Sequence, residues 1–354
     1  ATYKEIFGKQ IKVLASDPTD TGAEGQIWYN TTLNNFRTVL NSEAWSSGSA
    51  MIRTTSGEFA LGTGTQTAGL YAGGYSPYTN LTEEYNGSGW TAGGNMNLTR
   101  ITGGFGTQTA AVAAGGITFP GTVGGQAEEY DGSTWTTGNA LGTARAYGSG
   151  SGILTAGVFF GGSATANPTS VGNTEEYDGT SWSEQTDLTD GRRLLGSGGR
   201  GTQTASLGFG GNSAPTAYWT ATEAYNGTSW TNVNSMNTGR NNLGSAGDQT
   251  SALAFGGTTG SDSAATESWD GTNWSTSPAT LANARVSPPS IGTSTAALFV
   301  GGPSPDYAAG WVEEFNRSTN VTTPSAWAAG GTINTARTYG GGSGPVTSAM
   351  LIGG

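Results

Sequence analysis

Short apolar runs, each closed by a pair of glycines, alternate along this chain with polar stretches that carry one Tyr and one Trp. The stretch from Arg145 to Asp187 gives the order. Arg145 is followed by the small-residue segment Tyr147-Gly-Ser-Gly150, the apolar run Gly157-Val-Phe-Phe160, and Gly161-Gly162. A polar loop then leads to Glu175-Glu-Tyr-Asp-Gly179 and Trp182. Self-similarity at a fixed period outranks any local pattern, because it sets the whole architecture. The Arg recurs at Arg53, Arg100, Arg145, Arg192, Arg240, Arg285 and Arg337, spaced 45 to 52 residues apart. The glycine pair recurs from Gly73-Gly74 to Gly353-Gly354, and the Trp from Trp45 to Trp327, each seven times.

Each unit predicts four short strands. The first follows Arg through small residues, and a turn such as Gly106-Thr-Gln-Thr109 leads to an apolar second strand ending at the glycine pair. The third carries Glu-Glu-Tyr, Asp131-Gly132 and its counterparts are tight hairpin signals, and the fourth carries Trp. Small residues suit crowded inner strands, and Tyr and Trp fill the wider outer space, which is the taper of a β-propeller blade. The last unit stops at Gly353-Gly354 without a Tyr and Trp half, while the first half-unit, Gln26 to Trp45, lacks an Arg and Gly-Gly half. Joining them leaves no free sheet edge. The expectation is therefore an all-β, single seven-bladed propeller over residues 21–354. Its closing blade is expected from about 21–46 plus 337–354, preceded by a short N-terminal arm, residues 1–20.

The order Arg, Gly-Gly, Tyr, Trp resembles the kelch repeat over roughly residues 21–354, with a shorter gap between Tyr and Trp than kelch units usually have. Kelch-type propellers include the copper enzyme galactose oxidase, whose radical chemistry needs Tyr, His and a Cys cross-link. This chain has no His and no Cys, so that route is closed, as is thiolate chemistry. The opening stretch Glu24-Gly-Gln-Ile-Trp-Tyr-Asn30-Thr-Thr with Phe36-Arg37 resembles structural proteins of tailed bacteriophages, marine and cyanobacterial ones especially. That resemblance implies a virion component.

Hydrophobic content of 34% with 61 glycines would suggest disorder were it not for the periodic aromatics. The three Lys, at positions 4, 9 and 12, give the first twelve residues a charge of +2 and leave −13 on the rest. An acidic body disfavours nucleic acid. No 18-residue apolar span and no charged-then-apolar leader is present, so neither membrane insertion nor a signal peptide is expected, only synthesis in a host cytoplasm. Lys4, Phe7, Lys9, Ile11 and Lys12 are the expected docking residues of the arm, aimed at other virion proteins; a solvated terminus is the plainer alternative.

Short, similar turns fall on one face of the ring and variable loops on the other. The variable face carries the candidate binding residues Tyr75, Tyr78, Phe119, Tyr218, Trp219, Tyr307 and Trp311. Such aromatics stack on sugar rings, form protein hot spots, or merely anchor loops. The paired carboxylates, Glu83-Glu84 and its relatives, sit on a strand and point to opposite faces, so they are not an acid/base pair. The preferred role of the first is an ion pair with the repeat Arg; an open Arg ring binding an anion is the alternative. Asp-Gly turns are explained as hairpins rather than as calcium ligands, and no cofactor or metal is expected. The expected function is a virion structural protein without enzymic activity, tail- or fibre-associated, whose variable face meets a host-surface glycan or protein. A capsid decoration or connecting subunit, binding only other virion proteins, is the alternative.

Overall fold

The computed structural model describes residues 12–17, 27–53, 57–75, 77–165, 169–213, 217–287, 289, 291–302, 310–322, 341–343 and 350–352. All the regular elements among them are strands. The chain divides into two units, residues 41–319 and residues 1–40 with 320–354.

Three strands come first: β1 (Lys12–Leu14), β2 (Ile27–Asn30) and β3 (Asn35–Ser47). The first blade is β4 (Leu61–Thr65), β5 (Ala68–Ala72), β6 (Thr82–Tyr85) and β7 (Trp90–Ala92). The second is β8 (Arg100–Thr107), β9 (Ala110–Thr118), β10 (Thr122–Tyr130) and β11 (Trp135–Gly138). The third is β12 (Ser149–Ile153), β13 (Ala156–Phe160), β14 (Thr174–Tyr177) and β15 (Trp182–Gln185). The fourth is β16 (Gly196–Ser197), β17 (Ser206–Phe209), β18 (Thr222–Tyr225) and β19 (Trp230–Val233). The fifth is β20 (Gly244–Gly247), β21 (Ala252–Phe255), β22 (Thr266–Trp269) and β23 (Trp274–Thr276). Then follow β24 (Ile291–Gly292), β25 (Ala296–Val300), β26 (Val312–Thr322), β27 (Gly341–Ser343) and β28 (Met350–Ile352).

Each of the first five blades is a four-stranded antiparallel sheet in chain order. The predicted hairpin puts Tyr opposite Trp in register, as in Tyr85↔Trp90, Tyr130↔Trp135 and Tyr177↔Trp182. Their rings stack 4.7–5.0 Å apart. The core lies between neighbouring blades. Leu61, Leu70 and Ala72 of the first blade, for example, bury against Ala111, Ala113, Tyr130 and Trp135 of the second. Asn86, Asp131, Asp178, Asn226 and Asp270 close the outer hairpins by accepting N–H bonds from residues two and three further on.

A propeller closed by strands from the two ends of the sequence is the architecture expected. Its closing blade is differently composed. β24, β25 and β26 are completed by β3, in the order β24-β25-β26-β3, rather than residues 21–46 by 337–354. Inner strands β4, β8, β12, β16, β20 and β24 pack one on the next, and β24 returns to β4, so among the described residues the ring closes with six blades where seven landmarks predicted seven. Arg337, Trp327 and Gly353-Gly354, the landmarks of the expected remainder, lie outside the described residues.

Trp45 is the physical reason for this closure. Its ring packs 5.0 Å from Phe255 and 5.3 Å from Phe315, and its indole N–H donates to Thr266 Oγ1 at 3.0 Å. Trp135, Trp230 and Trp274 make the same bond to Thr82, Thr174 and Thr222 of the preceding blade. Trp45 is thus the fourth-strand Trp of the sixth blade. The seam between sixth and first blades repeats the ties between first and second, where Tyr130 reaches Glu84 and Gln108 the Tyr85 carbonyl: Tyr85 Oη donates to Glu314, and Gln66 Nε2 to the Phe315 carbonyl at 3.1 Å.

In the smaller unit, β1 pairs in parallel with β2, Lys12 facing Trp28, and β2 pairs with the start of β3. Part of the expected arm is therefore sheet. Asp17 explains the docking: its carboxylate accepts from Trp28 Nε1 (3.0 Å) and Asn30 Nδ2 (2.8 Å), and pairs with Arg37 at 3.1 Å. Trp28 is fully buried there. β27 and β28 form a separate antiparallel pair.

Candidate functional site on the variable-loop face

The repeat Arg and the first Glu of each pair build the scaffold beneath this face. Arg53–Glu83 (2.7 Å), Arg100–Glu128 (3.3 Å), Arg145–Glu175, Arg192–Glu223 (2.5 Å), Arg240–Glu267 and Arg285–Glu313 (2.6 Å) are buried ion pairs. The expected pairing holds for these six, and the open Arg ring does not. Each Arg also donates to carbonyls of its own blade, as Arg192 does to Gly210 (3.0 Å) and Ala221 (2.9 Å). Burial pushes Arg100 down to about 10, with Glu128 opposing the shift. The glycine pair serves the next blade: the Gly116 and Gly162 N–H groups donate to the Arg145 and Arg192 carbonyls, each at 2.8 Å. Gly161 has φ 65°, and a Cβ there would stand 2.5 Å from the Arg192 carbonyl oxygen.

The second Glu points the other way, as strand alternation requires. Glu84, Glu129, Glu176 and Glu314 accept from the hydroxyls of Tyr130, Tyr177, Tyr225 and Tyr85 on the following blade. Burial, with the carboxylate partner, pushes all four Tyr up. Where the Tyr is replaced, by Trp269 and Phe315, the Glu is replaced as well, by Ala224 and Ser268. No carboxylate is left facing an apolar ring at either junction.

On this scaffold, Tyr75, Tyr78 and Phe119 come together. The Tyr75–Tyr78 and Tyr78–Phe119 ring centroids are 5.0 and 6.0 Å apart, both edge-on. With Pro77, Leu98, Thr99 and Thr118 they line an open groove between the first and second blades. Phe119 is 71% and Tyr75 43% exposed, so together they leave an aromatic patch at the surface. The shelf is largely apolar, with the hydroxyl-bearing Thr99 and Thr118 in its lining, so it can hold a ring against an aromatic face and hydrogen-bond its edge. Tyr218 is exposed on the fourth blade, and Trp219 is half-buried beside it, with Arg192 Cζ 5.8 Å from its ring centroid. The Trp311 carbonyl accepts from the Gly301 N–H at 2.8 Å, which anchors its loop. Tyr218, Trp219 and Trp311 do not join the shelf. Tyr307, Lys4, Phe7, Lys9 and Ile11 lie outside the described residues, and Lys12 opens β1.

The sequence reading missed a second group at the axial mouth. Phe59 and Tyr147 lie edge-on at 5.2 Å, Tyr147 and Tyr78 pack on the same small core of Ile101, Ile117 and Ala146, and Arg193 Cζ lies 5.8 Å from the Tyr147 ring centroid. Burial pushes Tyr147 up and Arg193 down. Tyr147, Leu194, Asn242 and Ser287 all stand two residues after the repeat Arg, where residue type varies while the Arg does not. That was the available signal. Among the described residues no cluster of acidic residues is placed to hold a metal ion, and no helix is long and apolar enough to cross a membrane.

The ring of four-stranded blades defines the chain as a β-propeller. Among solved structures it is similar to YjhT, with a TM-score of 0.62 and 12% identity over 77% of this chain and 99% of that one. At that identity the likeness speaks for the fold. No protein-family model and no curated protein sequence matches the chain. The likeness corrects one expectation. A chain without enzymic activity was expected, yet one fold hosts catalytic and binding sites alike, so the absent His and Cys remove particular chemistries and not enzymic activity as such.

Proposed function

We propose that the chain is a kelch-like virion structural protein of a tailed bacteriophage, associated with the tail or its fibres, whose variable-loop face binds a glycan or protein of the host surface. The phage origin is supported by the Gly25-Gln-Ile-Trp-Tyr-Asn30 stretch, and the kelch character by the order of Arg, Gly-Gly, Tyr and Trp. The observation that carries the binding role is the exposed Tyr75, Tyr78 and Phe119 shelf. It stands on blades locked by buried ion pairs, so little conformational freedom is lost when a ligand settles on it.

The test has two arms. Gold-labelled antibody against the chain, applied to intact particles, should mark the tail. The purified chain should bind host cells, and Phe119→Ala and Tyr78→Ala should each weaken that binding by about tenfold, the loss of about 1.4 kcal/mol of ring contact. Label on the capsid with unchanged cell binding would replace this reading by the decoration-subunit one. Absence from particles would remove both.

A further inference from the structure

The axial mouth carries an arrangement that the shelf does not explain. Tyr147, Leu194, Asn242 and Ser287 hold left-handed φ values of 60°, 57°, 52° and 57°, and Phe59 of the first blade one of 53°. Non-glycine residues in this region are sparse and gather at functional sites. Their backbones are spent in a hoop: Leu194 N–H donates to the Tyr147 carbonyl (3.0 Å), Asn242 to Leu194 (3.1 Å), Ser287 to Asn242 (2.8 Å), and Thr102 to Phe59 (3.1 Å). The side chains converge on an axial cavity of about 100 Å³. Phe59 and Tyr147 give it an aromatic wall. Asn242 Oδ1 and Ser287 Oγ, from neighbouring blades, are buried there without a hydrogen-bond partner, and Ser287 is only 6% exposed. Buried polar atoms of this kind are nearly always satisfied. Deeper in, Thr63 Oγ1 donates to Gly106, Ser151 Oγ to Gly198 and Ser197 Oγ to Gly150, drawing the inner strands together.

We infer that the mouth binds the terminal hydroxymethyl group of a neutral hexose chain, with the adjoining ring on Phe59 and Tyr147 and the next residues on the Tyr78–Phe119 shelf. The inference rests on the glycan form of the proposed function. Size sets the class of group: at about 100 Å³ the cavity is smaller than the ~150 Å³ of a cavity that takes up a benzene ring, so it admits a hydroxymethyl and not a whole sugar ring. Chemistry sets its polarity. A hydroxyl donates its one proton to Asn242 Oδ1 and accepts from Ser287 Oγ–H, whereas a carboxylate would face the amide oxygen. The ligand enters from the loop face, so the site reads the end of a chain and not its middle.

The full chain is titrated calorimetrically with maltose, cellobiose and lactose, and with each sugar's analogue deoxygenated at C6 of its non-reducing ring. Ser287→Gly and Asn242→Gly remove the side chains while accepting the left-handed backbone. At least one disaccharide should bind. Its deoxy analogue should bind about tenfold more weakly to the unaltered chain and no more weakly still to Ser287→Gly. Phe119→Ala should weaken binding but keep the discrimination against the deoxy analogue. Equal binding of sugar and deoxy analogue to the unaltered chain overturns the inference and leaves the shelf standing. Binding of none of the disaccharides overturns it too, with water alone in the mouth, while a protein ligand for the face survives. Because the deoxy comparison uses the unaltered chain, a variant that fails to fold does not obscure the outcome.

Discussion

Trp45→Ala tests how the ring closes. The substitution removes the packing on Phe255 and Phe315 and the indole bond to Thr266. A Trp truncated in a core costs about 3–5 kcal/mol. Trp45 is half-buried, whereas Trp274, its counterpart in the fifth blade, is 6% exposed. We therefore expect a loss of about 3 kcal/mol for Trp45→Ala and about 4 kcal/mol for Trp274→Ala. Against a total stability on the order of 5–15 kcal/mol, either is readily measured by urea unfolding followed by near-ultraviolet circular dichroism. The indole bond can be isolated by a cycle of Trp45→Phe and Thr266→Ala, with an expected coupling of about 1 kcal/mol. A Trp45→Ala chain within about 0.5 kcal/mol of the unaltered one, the range of ordinary surface substitutions, would refute the six-bladed closure. So would the absence of coupling to Thr266.

Tyr85→Phe removes the hydroxyl that reaches Glu314 across the seam, and Tyr130→Phe removes the one that reaches Glu84 at an ordinary junction. Each should cost about 1–2 kcal/mol in urea unfolding, and a silent Tyr85→Phe would count against the seam. Arg145→Ala strands the buried Glu175 carboxylate and should cost about 3–5 kcal/mol; an unchanged melting temperature would show that the pair does not hold the blade. Asp131 is held at about 2, below its ordinary 3.8, chiefly by the N–H groups of Thr134 and Ser133. Its contribution is present above pH 4 and is lost as pH falls toward 2. Asp131→Asn, which keeps the turn used by Asn86 and Asn226, should lower stability at pH 5 and flatten the decline between pH 4 and 2, read from urea midpoints.

What the sequence disclosed followed from how local each contact is. Arg145 and Glu175 lie 30 residues apart within one repeat, and Tyr130 and Trp135 within one hairpin, so periodicity alone placed them. Trp45 could not be placed that way. It carries the same landmark as Trp327, and only its contacts with Thr266 and Phe315, more than 200 residues away, assign it to the sixth blade. Tyr75, Tyr78 and Phe119 were legible because they break a small-residue background in variable loops. Asn242 and Ser287 were not, because a polar residue beside the repeat Arg looks like an ordinary turn until its left-handed backbone and buried oxygen are seen.

The Tyr, Gln and Trp ties between blades run in one direction. Tyr130, Gln108 and Trp135 of the second blade reach back to Glu84, Tyr85 and Thr82 of the first, and Tyr225, Gln203 and Trp230 reach from the fourth to the third. On a ribosome, each blade therefore stays unlatched until its successor has emerged. β3 waits longest, because its partner β26 begins at Val312. At 5–20 residues per second, that leaves the part of β3 beyond its pairing with β2 open to wrong pairing for on the order of 15–50 s. Glu43 suits β3 to that wait: a carboxylate that keeps a lone strand in solution becomes, once the ring shuts, the partner of Arg317 at 2.7 Å.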